Sequence, residues 1–328
     1  MSSLNKLLIT LLLAVPLVTA ASPLPLETVQ DVPLPGHPTR FDYVSLDPKT
    51  GLLFIAHLGD DAVLVFDTRK NLVVATLPGI RRVHGVLAVP ELGKVYASAT
   101  GSNELVVIDE ATLGISARIP AGVYPDGIAW VPHNHTLYVS DEHGKTDTVI
   151  DADHDRPVAT VALHSEVGNS QYDPVTGHVL VAAQSSDAWI EIDATHHQIL
   201  ARHPLPGCQG PHGMTIAAQP HLAFIACSEN NKLATLDLDT QRVTAWHDLG
   251  KDPDVLAIDP ALKRLYVAAE DGTVSAFTLD ERTTPLGAAK VADNAHSLAV
   301  DLASHQVYMP LMAVAGQPSL RILAPVPH

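Results

Sequence analysis

Apolar and polar residues alternate along this chain in short bursts, and no stretch after residue 21 repeats its apolar residues at a helical spacing. One unit, His84 to Pro125, shows the pattern. His84–Val89 is apolar and β-prone, and Pro90 stops it. Lys94–Ser98, Glu104–Asp109 and Ile115–Pro120 follow as further runs of the same kind. The segments between them are rich in Gly, Asn, Asp and small polar residues, which are turn signals. The pattern predicts four strands per unit.

The unit recurs. Phe54, Tyr96, Tyr138, Leu180, Phe224, Tyr266 and Tyr308 fall in register, at spacings of 42, 42, 42, 44, 42 and 42 residues. Tandem units of four antiparallel strands predict an all-β, seven-bladed β-propeller. The last unit supplies three strands, ending near Leu323. Glu27–Leu34 matches the fourth-strand pattern and would close that blade from the N-terminus, hiding two sheet edges at once. An open solenoid would call for capping repeats at both ends, and the sequence shows none.

Twelve residues before each anchor lies a second column: Asp42, His84, Asp126, Gly168, His212, Asp254 and His296. In a propeller this position begins the innermost strand, at the mouth of the central channel. His84, His212 and His296 are then candidate ligands for a divalent metal such as Zn, Fe, Mn or Cu. Asp42, Asp126 and Asp254 are either further ligands or acceptors that orient the imidazoles. A metal-free polar mouth, with Asp and His satisfying turns and carbonyls, is the plainer reading of the same column. Gly168 breaks the ring and predicts a gap on one side.

Two residues upstream of the column stand Arg40 and Arg82, with Arg81 adjacent. Three guanidinium groups on one rim would suit a carboxylate, sulfate or phosphate. Loops opening at the same end carry His57, Asp141, Glu142, His143 and Glu270, with His57 as the candidate acid or base near neutral pH. Tyr43 and Tyr124 are expected to pack between blades or to offer a phenol. The chain has no Gly-rich phosphate loop, Gly-x-Ser-x-Gly elbow, haem-attachment Cys pair or His-Glu-x-x-His helix.

Composition refines the picture. Lys6, the apolar run Leu7–Ala20 and the small residues Val18-Thr19-Ala20 read as a cleaved signal peptide over residues 1–21. The propeller would then occupy 22–328, in the periplasm or outside the cell. The net charge of −16 argues against nucleic acid and anionic lipid as partners. Nothing after the signal resembles a membrane span. In an oxidising compartment Cys208 and Cys227 form a disulfide or remain two buried thiols.

Val95-Tyr96-Ala97-Ser98, Leu137-Tyr138-Val139-Ser140 and Leu265-Tyr266-Val267-Ala268 resemble the YVTN family of β-propeller repeats, of the secreted bacterial YncE-like type. Pro211-His212-Gly213 and Tyr124-Pro125-Asp126-Gly127 resemble its loop-to-first-strand signature. The third-strand Asp seen at Asp67, Asp109, Asp151, Asp193 and Asp237 is replaced by Leu279 and Arg321 in the last two units. The resemblance implies the propeller fold and, lacking a catalytic motif, an exported binding protein with a ligand or metal site at the channel mouth. Two other readings stand beside it. One is a metal-dependent lyase or lactonase acting on a small anionic substrate. The other is a partner-docking subunit of a periplasmic redox or transport system.

Overall fold

A computed structural model describes residues 22–326 of the chain; the expected signal segment, 1–21, lies outside the described residues. The described chain is a ring of seven four-stranded antiparallel sheets. Blades one to six run over residues 44–78, 83–120, 125–162, 170–204, 211–248 and 253–290. Blade seven takes Ala299–Val300, Val307–Val314 and Gln317–Pro325 from the end of the chain, and its outermost strand, Leu26–Pro33, from the start. Innermost strands of neighbouring blades meet all the way round, including blade seven with blade one. Among the described residues no helix is long and apolar enough to cross a membrane.

The core lies between blades. Seven apolar clusters each join two adjacent sheets; Phe54, Val65, Val86 and Val106, for example, lie between blades one and two. The anchors that set the period are all buried, with Phe54, Tyr96, Tyr138, Phe224 and Tyr266 at 0% exposure. Each fills the space between sheets, so truncating one to Ala should cost about 3–5 kcal/mol.

The third-strand Asp column has a local purpose that its two departures make clear. Asp67 Oδ1 accepts from the backbone N–H groups of Arg69 and Lys70, and Asp193 Oδ1 from those of Thr195 and His196. Such a carboxylate caps the turn into the fourth strand. In blade six the cap moves one residue on, where Asp280 Oδ1 accepts from Arg282 and Thr283. Blade seven has no such turn, because its fourth strand arrives from the N-terminus, and Arg321 reaches that strand instead to pair with Asp31.

Candidate functional site

A bulge aims the ring column into the channel. In blade two Val83 pairs with Ala99 and Val86 with Ala97, so His84 and Gly85 together oppose the single residue Ser98. Blades three, five and six repeat the irregularity at Asp126, His212 and Asp254. Two residues facing one bends the strand and redirects a side chain. Where it occurs, the bulge lies close against the next blade. A Cβ on Gly213 would collide with the Asp254 carbonyl oxygen, and Ser98 Oγ donates to the Asp126 carbonyl at 2.7 Å.

The column converges on a polar cavity of about 180 Å³ at one mouth of the channel. Carboxylates dominate its lining: Asp42, Asp126, Glu142, Asp252, Asp254 and Glu270. Arg40, His84, His212, Tyr43 and Tyr124 complete most of the wall. Below it lies a second cavity, of about 270 Å³, walled by innermost-strand residues such as Val44, Val86 and Leu256. Tyr43 lines both, and its phenol donates across the channel from blade one to Asn169 Oδ1 of blade four at 2.8 Å. Burial, with Asp254, Asp126 and Asp42 nearby, raises the Tyr43 phenol well above its ordinary range, so it stays a donor.

The expected gap at Gly168 is closed. A Cβ at that position would strike the backbone of His212, so blade five already occupies the space. The next residue, Asn169, supplies blade four's polar group to the channel instead.

Histidines 84 and 296 share one orientation. Each donates Nδ1–H to the carbonyl two residues upstream, Arg82 O at 2.9 Å and Asn294 O at 3.0 Å. This fixes the tautomer and leaves Nε2 as the presented nitrogen, as in metal-ligating imidazoles. Nε2 of His84 meets the Tyr124 hydroxyl at 3.3 Å. Nε2 of His296 is buried without a hydrogen-bond partner, 3.8 Å from Asp42 Oδ2 and 3.9 Å from Asp254 Oδ2. Asp126 Oδ1, Asp254 Oδ1 and His212 Nδ1 are likewise buried and unpartnered.

Charges in this enclosure set one another. Burial opposes the imidazolium of His296, but Asp42, then Asp254 and Glu270, outweigh it and raise the group to about 9. Asp42 is held down to about 2, because His296, His84 and Arg40 overcome its burial. Asp126 is pushed up to about 7, chiefly by burial and further by Asp42. Burial also raises Asp254. His212, 3.4 Å from Asp254, is raised by that residue and Asp126 against its own burial.

The structure gathers part of the sequence-derived set. Asp254 and His296 present ligand atoms within 4.8 Å of one another together with Glu270, a loop residue outside the repeat column. Among the described residues this is the single group of three that could hold a metal ion, and it contains neither His84 nor His212. The three histidines therefore do not converge on one point. Asp42 adjoins the group through His296.

Of the arginines, only Arg40 lines the cavity, where Glu270 and Asp42 hold it. Arg81 and Arg82 are exposed on the rim, and Arg82 lies over the Tyr124 ring at 5.9 Å. His57 is buried away from the cavity lining, stacked on Phe41 at 4.0 Å with Nε2 against Thr39 Oγ1 and the His37 carbonyl. A base must reach the proton it takes, and His57 offers the cavity no such reach. Burial lowers its pKa. Cys208 and Cys227 are joined as a disulfide with Cα atoms 5.3 Å apart.

The chain belongs to the choice-of-anchor I domain family, whose model matches residues 94–263, just over half of its length. That segment contains Asp126, His212 and Asp254 but not Glu270 or His296. No curated protein matches the chain. Among solved structures it is similar to hydrazine synthase of Kuenenia stuttgartiensis, at 13% identity and a TM-score of 0.75, over 94% of this chain and 98% of that one. It is also similar to a streptogramin B lyase, at 14% identity and a TM-score of 0.76, over 91% and 96%. At these identities the likeness is one of fold.

Proposed function

We propose that the protein is an exported binding propeller that holds one divalent cation at its channel mouth, on His296, Asp254 and Glu270, with Asp42 beside them. The observation that carries this reading is the buried, unpartnered Nε2 of His296, presented among carboxylates by the Nδ1 bond to Asn294. Buried carboxylates need positive charge nearby. In the metal-free chain the proton on His296 and the Arg40 guanidinium supply it. A cation would replace that proton, and its binding would release it to solvent. One imidazole with several carboxylates favours Mn²⁺, Fe²⁺ or Zn²⁺. Export is supported by the signal-like residues 1–21 and by the disulfide, which suits an oxidising compartment. The YVTN-type repeat accounts for the blades and adds no activity of its own.

Titrating chelator-treated protein with Mn²⁺ in a calorimeter tests this. The expected result is about one site per chain, weakened at least tenfold in Asp254→Asn. Absence of binding by the unaltered chain rules the reading out.

A second reading, a metal-dependent lyase or lactonase, is favoured by one feature of the same cavity. Asp126, poised near 7, lines the cavity together with the Tyr124 hydroxyl and His84 Nε2, which meet at 3.3 Å, so groups able to pass a proton face the same space. Turnover of small lactones or sugar acids that disappears in Tyr124→Phe would support it; turnover unaffected by that change would exclude it.

A further inference from the structure

We infer that Arg40 makes the mouth a cation-gated anion site: a small monocarboxylate binds there only after a divalent cation, and then bridges that cation and the Arg40 guanidinium. This rests on the cation site proposed above and adds to it a ligand class and an order of binding.

Glu270 is claimed twice. Its Oε1 accepts from Arg40 Nη2 at 2.6 Å, while its Oε2 accepts from Asn294 Nδ2 and stands 3.7 Å from His296 Nδ1. The same carboxylate belongs to the group that could hold a metal. A cation and the guanidinium thus compete for one partner, and a cation that takes Glu270 frees the Nη2 hydrogen that Glu270 held, the other staying with Asp42. Arg40 would keep Asp42, which its Nε and Nη2 meet at 3.3 Å. Its Nη1 makes no hydrogen bond among the described residues, and 37% of its side chain is exposed. The freed edge is a planar pair of donors, the geometry that a carboxylate matches with both oxygens.

Charge supplies the gate. Arg40 is the only Lys or Arg in a wall of six carboxylates, so an anion entering the metal-free cavity meets net repulsion. A divalent cation, even after displacing the His296 proton, leaves the mouth more positive at the point where Arg40 is released. The cation therefore both lessens the repulsion and uncovers the donor. By linkage the anion must tighten the cation by the same factor.

The test uses Mn²⁺ and benzoate as probes on chelator-treated full chain. Benzoate is expected to bind at least about tenfold more tightly with saturating Mn²⁺ than without it. Mn²⁺ should tighten by the same factor in saturating benzoate. Arg40→Gln is expected to keep Mn²⁺ binding, with affinity raised several-fold by loss of the competing guanidinium, and to lose the coupling. Should that variant fail to fold, Arg40→Lys, which keeps the charge without the fork, is expected to weaken the coupling. Benzoate binding indifferent to Mn²⁺, or coupling undiminished in the Arg40 variants, overturns the inference while leaving the cation site standing. Absence of Mn²⁺ binding by the unaltered chain overturns both.

Discussion

Arg321 clasps Asp31 through two nitrogen–oxygen contacts of 2.7 Å, tying the last strand of the described chain to the first. Its remaining nitrogen, Nη1, donates to the Val291 carbonyl at 3.0 Å, at the end of blade six. One side chain thus secures the ring where its two ends meet. A bidentate, partly buried pair is stronger than a surface ion pair. Arg321→Met should lower stability by about 1–3 kcal/mol. It should also expose the N-terminal strand to proteolysis before the rest of the chain. Denaturant melts and limited proteolysis check this; an unchanged midpoint and cleavage order would count against the clasp.

Crossing the channel, Tyr43 and Asn169 stiffen the floor of the cavity. Tyr43→Phe leaves the buried Asn169 Oδ1 without its donor and should cost about 1–2 kcal/mol. Gly168→Ala should cost more, because its Cβ would meet the His212 backbone on the same side of the ring. If Gly168→Ala is neutral in urea denaturation, blade four has the free space that the repeat column alone suggests.

Stability of the metal-free protein should depend on pH in a direction set by the ring. His296 is raised from 6.5 to about 9, so its contribution is full below pH 6.5 and is lost as pH rises through 9. Asp126 is raised from 3.8 to about 7, so its buried neutral form favours folding at low pH and loses that advantage between 3.8 and 7. Asp42 is lowered to about 2, and its contribution, present above 3.8, fails as pH falls through 2. The chelator-treated chain should therefore lose on the order of 2 kcal/mol between pH 6 and pH 9.5, seen as a fall in melting temperature. Saturating Mn²⁺ should remove most of that slope, because the ion replaces the protons. A metal-free profile flat over this range would contradict the charge coupling.

Much of this was legible in the sequence, for a reason particular to repeats. The period from Phe54 to Tyr308 gave seven blades, and its second column gave seven positions around one axis. Asp42, His84, Asp126, His212 and Asp254 all line the cavity, and His296 lies beside it. What the period could not convey was reach. Glu270 comes from a loop whose direction no column records, yet it joins Asp254 and His296. The bulge that turns the column inward has only a faint sequence signal, the small residues Ser98, Ser140 and Ala226 that lie opposite it. Arg82 adopts a left-handed backbone, φ 47°, just before its strand, and its side chain stays on the rim while Arg40 enters the cavity. His57, polar by composition, serves as a flat packing surface for Phe41.

The most direct test is the metal content of protein purified without chelator or a His tag, for the unaltered chain, His296→Gln and His84→Gln. About one divalent ion per chain is expected in the unaltered protein and in His84→Gln, and its loss in His296→Gln. Substoichiometric metal in the unaltered protein, or metal retained by His296→Gln, would contradict a cation held on the His296 side of the ring.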